Sequence, residues 1–117
     1  MILGTGIDII EIDRIERAIN RWGELFLVHV FTTKEIAWAK THKFPFPHYA
    51  GRFAAKEAVF KALGNPKVTW QDLNIYNDPS GKPICTLTKN IDNHHIYLSI
   101  SHSKYYAVAQ AIITRES

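Results

Sequence analysis

The segment 52–64, RFAAKEAVFKALG, holds charged residues whose spacing suits chemistry on a phosphate. Glu57 and Lys61 are four residues apart, so on a helix they would share one face. The commonest meaning of this spacing is a solvated ion pair. The alternative is a carboxylate for a hard cation beside an ammonium group for a phosphate oxygen. Magnesium suits that alternative, because proteins hold it with one or two carboxylates together with substrate phosphates.

Asp8 is an acidic residue inside the apolar, β-branched run 2–10. Acids are depleted from strand interiors, and a buried charge is costly unless it is paired or bound to a metal. Asp8 is therefore a metal ligand, a residue on the solvent face of an edge strand, or a cap of a nearby turn. The preceding Gly4-Thr5-Gly6 lacks the third glycine of a dinucleotide-binding fingerprint and does not predict one.

His102 lies in the serine-rich run SISHS at 99–103, where a predicted strand turns. Such a run can contact a phosphate or a ribose, or its hydroxyls can simply cap the turn. We do not expect a serine–histidine nucleophile pair here. Ser101 and His102 are adjacent, and adjacent side chains on a strand point to opposite faces.

Arg14, Arg17 and Arg21 follow one another at offsets of three and four residues, so they form a stripe on one helix face. The usual role of such a stripe is to keep a surface soluble. The more specific interpretation is a docking ridge for an acidic helix or a phosphate, because guanidinium groups pair well with both.

The composition limits the class of protein. A chain of 117 residues, 46% hydrophobic and 21% charged, is typical of a single soluble domain, which we expect to span 1–117. We expect no membrane helix and no secretion signal. The lone Cys85 lies in an apolar run and is expected to be buried rather than nucleophilic, which fits the reducing cytoplasm. The net charge of +3 favours anionic partners without choosing among them.

Helical spacing and capping patterns predict helices at about 13–21, at about 32–38 and from about 49 to 63. Asp13 is the expected N-cap of the first helix, and the prolines at 45 and 47 separate the second from the third. Strands are predicted at 2–10, 73–76, 84–88, 95–100 and 105–113, although the alanines of the last also suit a helix. Helices followed by hairpins predict an α+β fold in which helices pack on an antiparallel sheet.

Taken together, these segments resemble the bacterial holo-acyl-carrier-protein synthases, a family of 4′-phosphopantetheinyl transferases. The resemblance runs nearly end to end. It is carried by GIDIIEIDRIERA at 6–18, FTTKE at 31–35, RFAAKEAVFKALG at 52–64, WQDLNIYNDPSGKP at 70–83 and SISHSKYYAVAQAI at 99–112. The helix and the Gly-x-Asp strand, in this order and in a chain of this length, are its most specific parts.

The resemblance implies a reaction and its participants. The phosphopantetheine arm of coenzyme A is transferred to a serine of apo acyl carrier protein in a Mg²⁺-dependent step that supports fatty acid biosynthesis. Adenosine 3′,5′-bisphosphate is released. The resemblance also implies a phosphopantetheinyl transferase fold and a homotrimer with active sites at subunit interfaces. We expect neither a nucleic acid nor a membrane as a partner.

The resemblance also assigns residues. Asp8 and Glu57 match the metal ligands, and Lys61 matches a lysine beside the pyrophosphate, so these three form the expected catalytic set. Arg52 and His102 match positions near the nucleotide end of the coenzyme. Arg14 matches an arginine that docks the carrier protein, and we extend that role to Arg17 and Arg21. The base that activates the carrier serine is left open between Glu57 and a metal-bound water.

The stretch 43–49 departs from the family pattern, because it is richer in proline and aromatic residues and poorer in basic ones. Lys43 and His48 are the local candidates for contacts to the coenzyme phosphates. Two other functions stay open at this point. One is a nucleic-acid-binding module that uses the basic helix, and the other is a magnesium-dependent hydrolase of nucleotide pyrophosphates that needs no carrier protein.

Overall fold

The computed structural model describes residues 1–88 and 94–115. Within these ranges the chain forms four α-helices, one short 3₁₀ helix and five strands. Their order is β1 (Ile2–Glu11), α1 (Ile12–Trp22), α2 (Glu24–Val30), α3 (Thr33–Lys40), α4 (Phe46–Leu63), the 3₁₀ helix (Trp70–Asp72), β2 (Leu73–Asn77), β3 (Pro83–Leu87), β4 (His94–His102) and β5 (Tyr106–Arg115).

The strands form two antiparallel sheets, a three-stranded sheet in the order β1-β5-β4 and a two-stranded sheet of β2 and β3. The predicted α+β fold is therefore confirmed. The alanine-rich segment 106–115 is a strand because burial alternates along it: Ala107, Ala109, Ala111 and Ile113 are buried, and the residues between them are more exposed. None of the described helices is long and apolar enough to cross a membrane.

Helix α4 lies across the three-stranded sheet, and two glycines let it approach β1 closely. A Cβ atom at Gly4 would lie 2.0 Å from the carbonyl oxygen of Ala62, and one at Gly6 would lie 1.9 Å from that of Ala58. Any side chain at either position would collide with the helix backbone. The Gly-Thr-Gly run therefore serves strand–helix packing, and it places Asp8, two residues further along the same face, beside α4.

A buried ion pair ties α3 to α4. Lys56 Nζ lies 2.7 Å from Glu35 Oε1, and both side chains are 0% exposed. Glu35 also completes the predicted capping box with Thr32 at the start of α3. Its second oxygen accepts a hydrogen bond from the backbone N–H of Ile75 on β2. One carboxylate thus connects α3, α4 and the two-stranded sheet.

Several predicted boundaries were wrong. Helix α1 begins at Ile12 and not after Asp13, because β1 leads directly into it; Asp13 lies in the first turn, where its charge favours the helix dipole. Helix α4 begins at Phe46, since a proline in the first turn is tolerated. Strand β4 continues to His102 through residues predicted to turn. Helix α2 was not predicted; it follows Gly23, whose φ of 55° ends α1.

Candidate active site

The structure brings Asp8, Glu57 and Lys61 together where β1 passes α4. Lys61 Nζ lies 3.3 Å from Asp8 Oδ1 and donates a 2.9 Å hydrogen bond to the carbonyl oxygen of Ile7. Lys61 therefore pairs with an acid on the strand, Asp8, and not with Glu57 on the preceding turn of its own helix as the i, i+4 spacing alone would suggest. The side chain of Asp8 is largely buried, whereas half of the Lys61 side chain is exposed. The cluster thus opens to solvent on the lysine side.

The two carboxylates are close enough to interact. Burial raises the pKa of Glu57 above its usual value, the negative charge of Asp8 raises it further, and Lys61 opposes the shift. Two acids that repel each other in this way are stabilised by a bound cation, which removes both the repulsion and part of the desolvation cost.

The donor set suits magnesium better than a metal that needs a complete protein cage. Among the described residues there is no group of three or more histidine, cysteine, aspartate or glutamate side chains that could hold a metal ion. Two carboxylates in a half-open cleft are what magnesium uses when substrate phosphates and water complete its shell. Asp8 and Glu57 therefore fit this ion, and they fit zinc poorly.

A second cluster surrounds Arg52, five residues before Glu57 on α4, a rise of about 7.5 Å along the helix. Arg52 is only 5% exposed. Its guanidinium carbon lies 3.9 Å from the centroid of the Trp38 ring, and Nη2 donates a 3.1 Å hydrogen bond to Asn77 Oδ1. Burial lowers the pKa of Arg52 to about 10, and Glu35 opposes the shift. Nε is buried without a hydrogen-bond acceptor in the described part of the chain, so this donor could bind an anion.

Three imidazoles lie near Arg52. The ring centroids of His42 and His48 are 3.7 Å apart, and those of His48 and His102 are 6.1 Å apart. We call His42, His48 and His102 the histidine cluster. The sequence pointed to His48 and His102, but it missed His42 and Trp38. Their i, i+4 spacing was visible, but only the fold shows that this pair faces α4.

The other predicted site residues lie outside the two clusters. Lys43 is exposed, with Nζ 5.6 Å from the centroid of the Phe44 ring. Arg14, Arg17 and Arg21 are exposed along α1, as the stripe predicted. Arg17 Nε lies 3.8 Å from Asp13 Oδ2, an exposed i, i+4 pair. The arginines are thus available to a partner.

Comparison with known proteins agrees with this arrangement. The sequence profile of the 4′-phosphopantetheinyl transferase superfamily matches residues 4–111, which defines the class of enzyme. The holo-[acyl-carrier-protein] synthase of Protochlamydia amoebophila is 45% identical over 119 residues, covering 96% of this chain and 98% of its own. The chain therefore belongs to the holo-[acyl-carrier-protein] synthase family, and the predicted family and enzyme class are confirmed.

Two solved structures share the fold. The holo-(acyl-carrier-protein) synthase of Bacillus anthracis, in complex with CoA (3′,5′-ADP), is 41% identical and superposes with a TM-score of 0.86 over 99% of both chains. The Helicobacter pylori synthase, in complex with coenzyme A, is 33% identical with a TM-score of 0.83, over 94% of this chain and 99% of the other.

Proposed function

We propose that residues 1–117 form one transferase domain that moves the 4′-phosphopantetheine arm of coenzyme A to a serine of apo acyl carrier protein. The reaction depends on Mg²⁺ and releases adenosine 3′,5′-bisphosphate. The observation that carries the proposal is the cluster of Asp8, Glu57 and Lys61, whose Lys61–Asp8 distance is 3.3 Å, in a chain of this family. Relatives bound to coenzyme A support the choice of donor.

At the reacting end, Asp8 and Glu57 would hold the magnesium ion. When bound there, the ion would supply charge neutralisation of the pyrophosphate and polarisation of the phosphorus. Lys61 would move its ammonium group from Asp8 to a phosphate oxygen as the substrate enters. There it stabilises the charge that develops as the phosphorus–oxygen bond to the leaving group breaks. Its exposed side chain has the freedom for this movement.

At the nucleotide end, Arg52, His48 and His102 would bind a phosphate of the coenzyme. The buried, unpaired Nε of Arg52 and the imidazoles beside it supply donors from two elements, α4 and β4. Lys43 is a further proposed contact, from the exposed loop before α4. Trp38 holds the Arg52 guanidinium by stacking on it.

The carrier protein would dock on α1 and α2. Arg14, Arg17 and Arg21 offer positive charge, and next to them Trp22, Leu25 and Val28 are exposed apolar residues. A basic stripe beside an apolar patch suits an acidic amphipathic helix, because each face of such a helix then finds its complement. Acyl carrier proteins are acidic, so the proposed partner has the charge that this surface requires.

The outer face of the three-stranded sheet supports the proposed homotrimer. On β1, Ile7 and Ile9 point away from α4 and are 63% and 64% exposed. Exposed apolar side chains that lie next to each other on one sheet face mark an interaction surface, whereas single scattered ones do not. A closed ring of three copies would bury this face and bring neighbouring subunits to the strand that carries Asp8. Light scattering after gel filtration should give three times the chain mass of 13.4 kDa.

The decisive experiment incubates the protein with coenzyme A, magnesium and apo carrier protein and then measures the carrier by mass spectrometry. We expect a gain of one phosphopantetheine group on the carrier serine. Asp8→Ala and Glu57→Ala should each abolish the gain while retaining the native circular dichroism spectrum. Asp78→Asn, which removes a carboxylate in the turn between β2 and β3, away from both proposed surfaces, is the matched control and should stay active.

Two results would contradict the proposal. Full modification of the carrier by Asp8→Ala or Glu57→Ala would remove that residue from the mechanism. Consumption of coenzyme A without any carrier protein would instead favour a magnesium-dependent hydrolase. We further propose that the transfer takes place in the cytoplasm, because the pathway that uses the carrier protein requires it there.

A further inference from the structure

The histidine cluster brings three titratable rings from different parts of the chain to the same buried arginine. His42 follows α3, His48 lies in the first turn of α4, and His102 ends β4. Arg52 joins them from the next turn of α4. At physiological pH the arginine is charged, whereas an imidazole is the side chain whose charge a nearby anion can most readily change in this range.

The hydrogen bonds of His42 show which of its nitrogens can take up a proton. Nδ1 lies 3.0 Å from the carbonyl oxygen of Trp38. Thr41 Oγ1 lies 3.3 Å from the same nitrogen but donates its own hydrogen to that carbonyl at 2.6 Å, and a carbonyl only accepts, so we assign a hydrogen to Nδ1. Nε2 is then the nitrogen that stays unprotonated in the neutral ring. Protonation at Nε2 would add a donor and a full positive charge without breaking the bond to Trp38.

When no anion is bound, protonation of all three imidazoles of the histidine cluster is unfavourable. Burial lowers the pKa of His48, and the positive charges of His42, His102 and Arg52 lower it further. These three are the charged groups that act on His48 from the end of α3, from β4 and from α4 itself, and all of them are cationic when charged. The rings of His42 and His48, with centroids 3.7 Å apart and planes tilted by 32°, cannot both be cationic at low cost.

We propose that the close pair of His42 and His48 takes up a proton when it binds the phosphate monoester at the nucleotide end of coenzyme A. This inference rests on the proposed function, and it makes the affinity of this chain for the coenzyme depend on pH. A dianionic phosphate replaces the repulsion among the imidazoles and Arg52 with attraction, so binding favours the protonated rings. Beside Lys43, the one permanently charged residue of the stretch 43–49, His48 and the preceding His42 then supply the positive charge.

The direction of the pH effect follows from linkage. An imidazole that gains an anionic partner has a higher pKa in the complex than in the free protein. Above the pKa of the phosphate, binding therefore weakens as pH rises from the pKa of the free protein to that of the complex. With one proton coupled, the affinity falls by up to about tenfold per pH unit. The phosphate itself titrates near pH 6, so measurements between pH 7 and 8.5 isolate the protein groups.

The test is calorimetric titration of the whole protein with adenosine 3′,5′-bisphosphate. At each pH, two buffers with different ionisation enthalpies give the number of protons taken up. We expect that each bisphosphate bound is accompanied by the uptake of at most one proton, and that binding is weaker at pH 8.5 than at pH 7. Adenosine 5′-monophosphate, which lacks the 3′-phosphate, should show neither effect. His48→Lys should bind the bisphosphate with an affinity that changes less with pH, because its charge is permanent.

Further variants assign the effect to the pair. His42→Gln combined with His48→Gln should remove most of the proton uptake, whereas His29→Gln, on the exposed surface of α2, should leave it unchanged. Binding of the bisphosphate with no proton uptake between pH 7 and 8.5 would overturn this inference alone. Uptake that persists in the double variant would assign it to His102 and also overturn it. Absence of binding at every pH would overturn the proposed coenzyme site as well.

Discussion

The buried ion pair between Lys56 and Glu35 allows a quantitative prediction about stability. Lys56 Nζ lies 2.7 Å from Glu35 Oε1 and also donates to the carbonyl oxygens of Val30 (2.8 Å) and Trp70 (3.0 Å). Both side chains are inaccessible to solvent. Replacing Lys56 with methionine fills the same space, but it leaves a buried carboxylate without its counter-charge and two carbonyl groups without a donor.

Removing one partner of such a pair costs about 3–5 kcal/mol, because the remaining charge is uncompensated. For a chain of this size, each kcal/mol lowers the melting temperature by roughly 4 °C, so Lys56→Met should melt about 12–20 °C lower. Urea unfolding followed by circular dichroism gives the free energy directly. All variants must be compared at one protein concentration, since an oligomer gains stability from assembly.

A second substitution tests the cause. Glu35→Gln in the Lys56→Met background removes the stranded charge and keeps an oxygen that can accept from Ile75 N–H, so the double variant should be more stable than Lys56→Met alone. Lys40→Met, at the exposed end of α3, is the matched control and should change stability little. A loss below about 1 kcal/mol for Lys56→Met, or a double variant less stable than the single one, would refute the reasoning.

Three further predictions concern the site and the assembly. Gly6→Ala should push β1 away from α4 and cost both stability and transfer activity, whereas Thr33→Ala, at the exposed start of α3, should cost little. Urea unfolding and the carrier mass assay measure both. Ile9→Lys should give a folded monomer that transfers no phosphopantetheine. Light scattering measures the assembly state, and the carrier mass assay measures the transfer. A fully active monomer would contradict the proposal that the active sites are shared between subunits. Burial and the charge of Asp8 raise the pKa of Glu57, so protons should compete with magnesium for this carboxylate at a higher pH than for an ordinary one. As pH falls, the magnesium concentration that gives half the maximal rate should therefore begin to rise at that higher pH. A flat profile from pH 7 to 5 would argue against Glu57 as a ligand.

The sequence predicted the classes of the long elements because their periodicity is strong. The last strand was ambiguous by composition, and pairing with β1 and β4 decides it. Helix α2 was missed because its seven residues, ELFLVHV, are short and partly β-branched. Its helical state depends on Gly23 and on the burial of Leu27 and Val30, which are tertiary effects.

The candidate site was predicted unevenly for the same reason. The resemblance pointed to Asp8, Glu57 and Lys61, and the fold brings them together. Spacing along α4 could not show that Arg52 and Lys56 are buried cations while Lys61 is half exposed, because those states depend on what packs against each face. The contact of His42 with His48 crosses from the end of α3 to α4 and leaves no local signal in the sequence.

The pairing of β1 with β5 has a consequence for the order in which the chain can fold. The strand that carries Asp8 is made before its hydrogen-bonding partner β5, which lies far along the described chain, with Ile2 opposite Thr114. Such long-range pairing is slow, because most of the chain must be closed into a loop before the contact forms. Until β5 has left the ribosome, the backbone groups that β1 pairs with it therefore have no partner in the sheet, and the site can be assembled only afterwards.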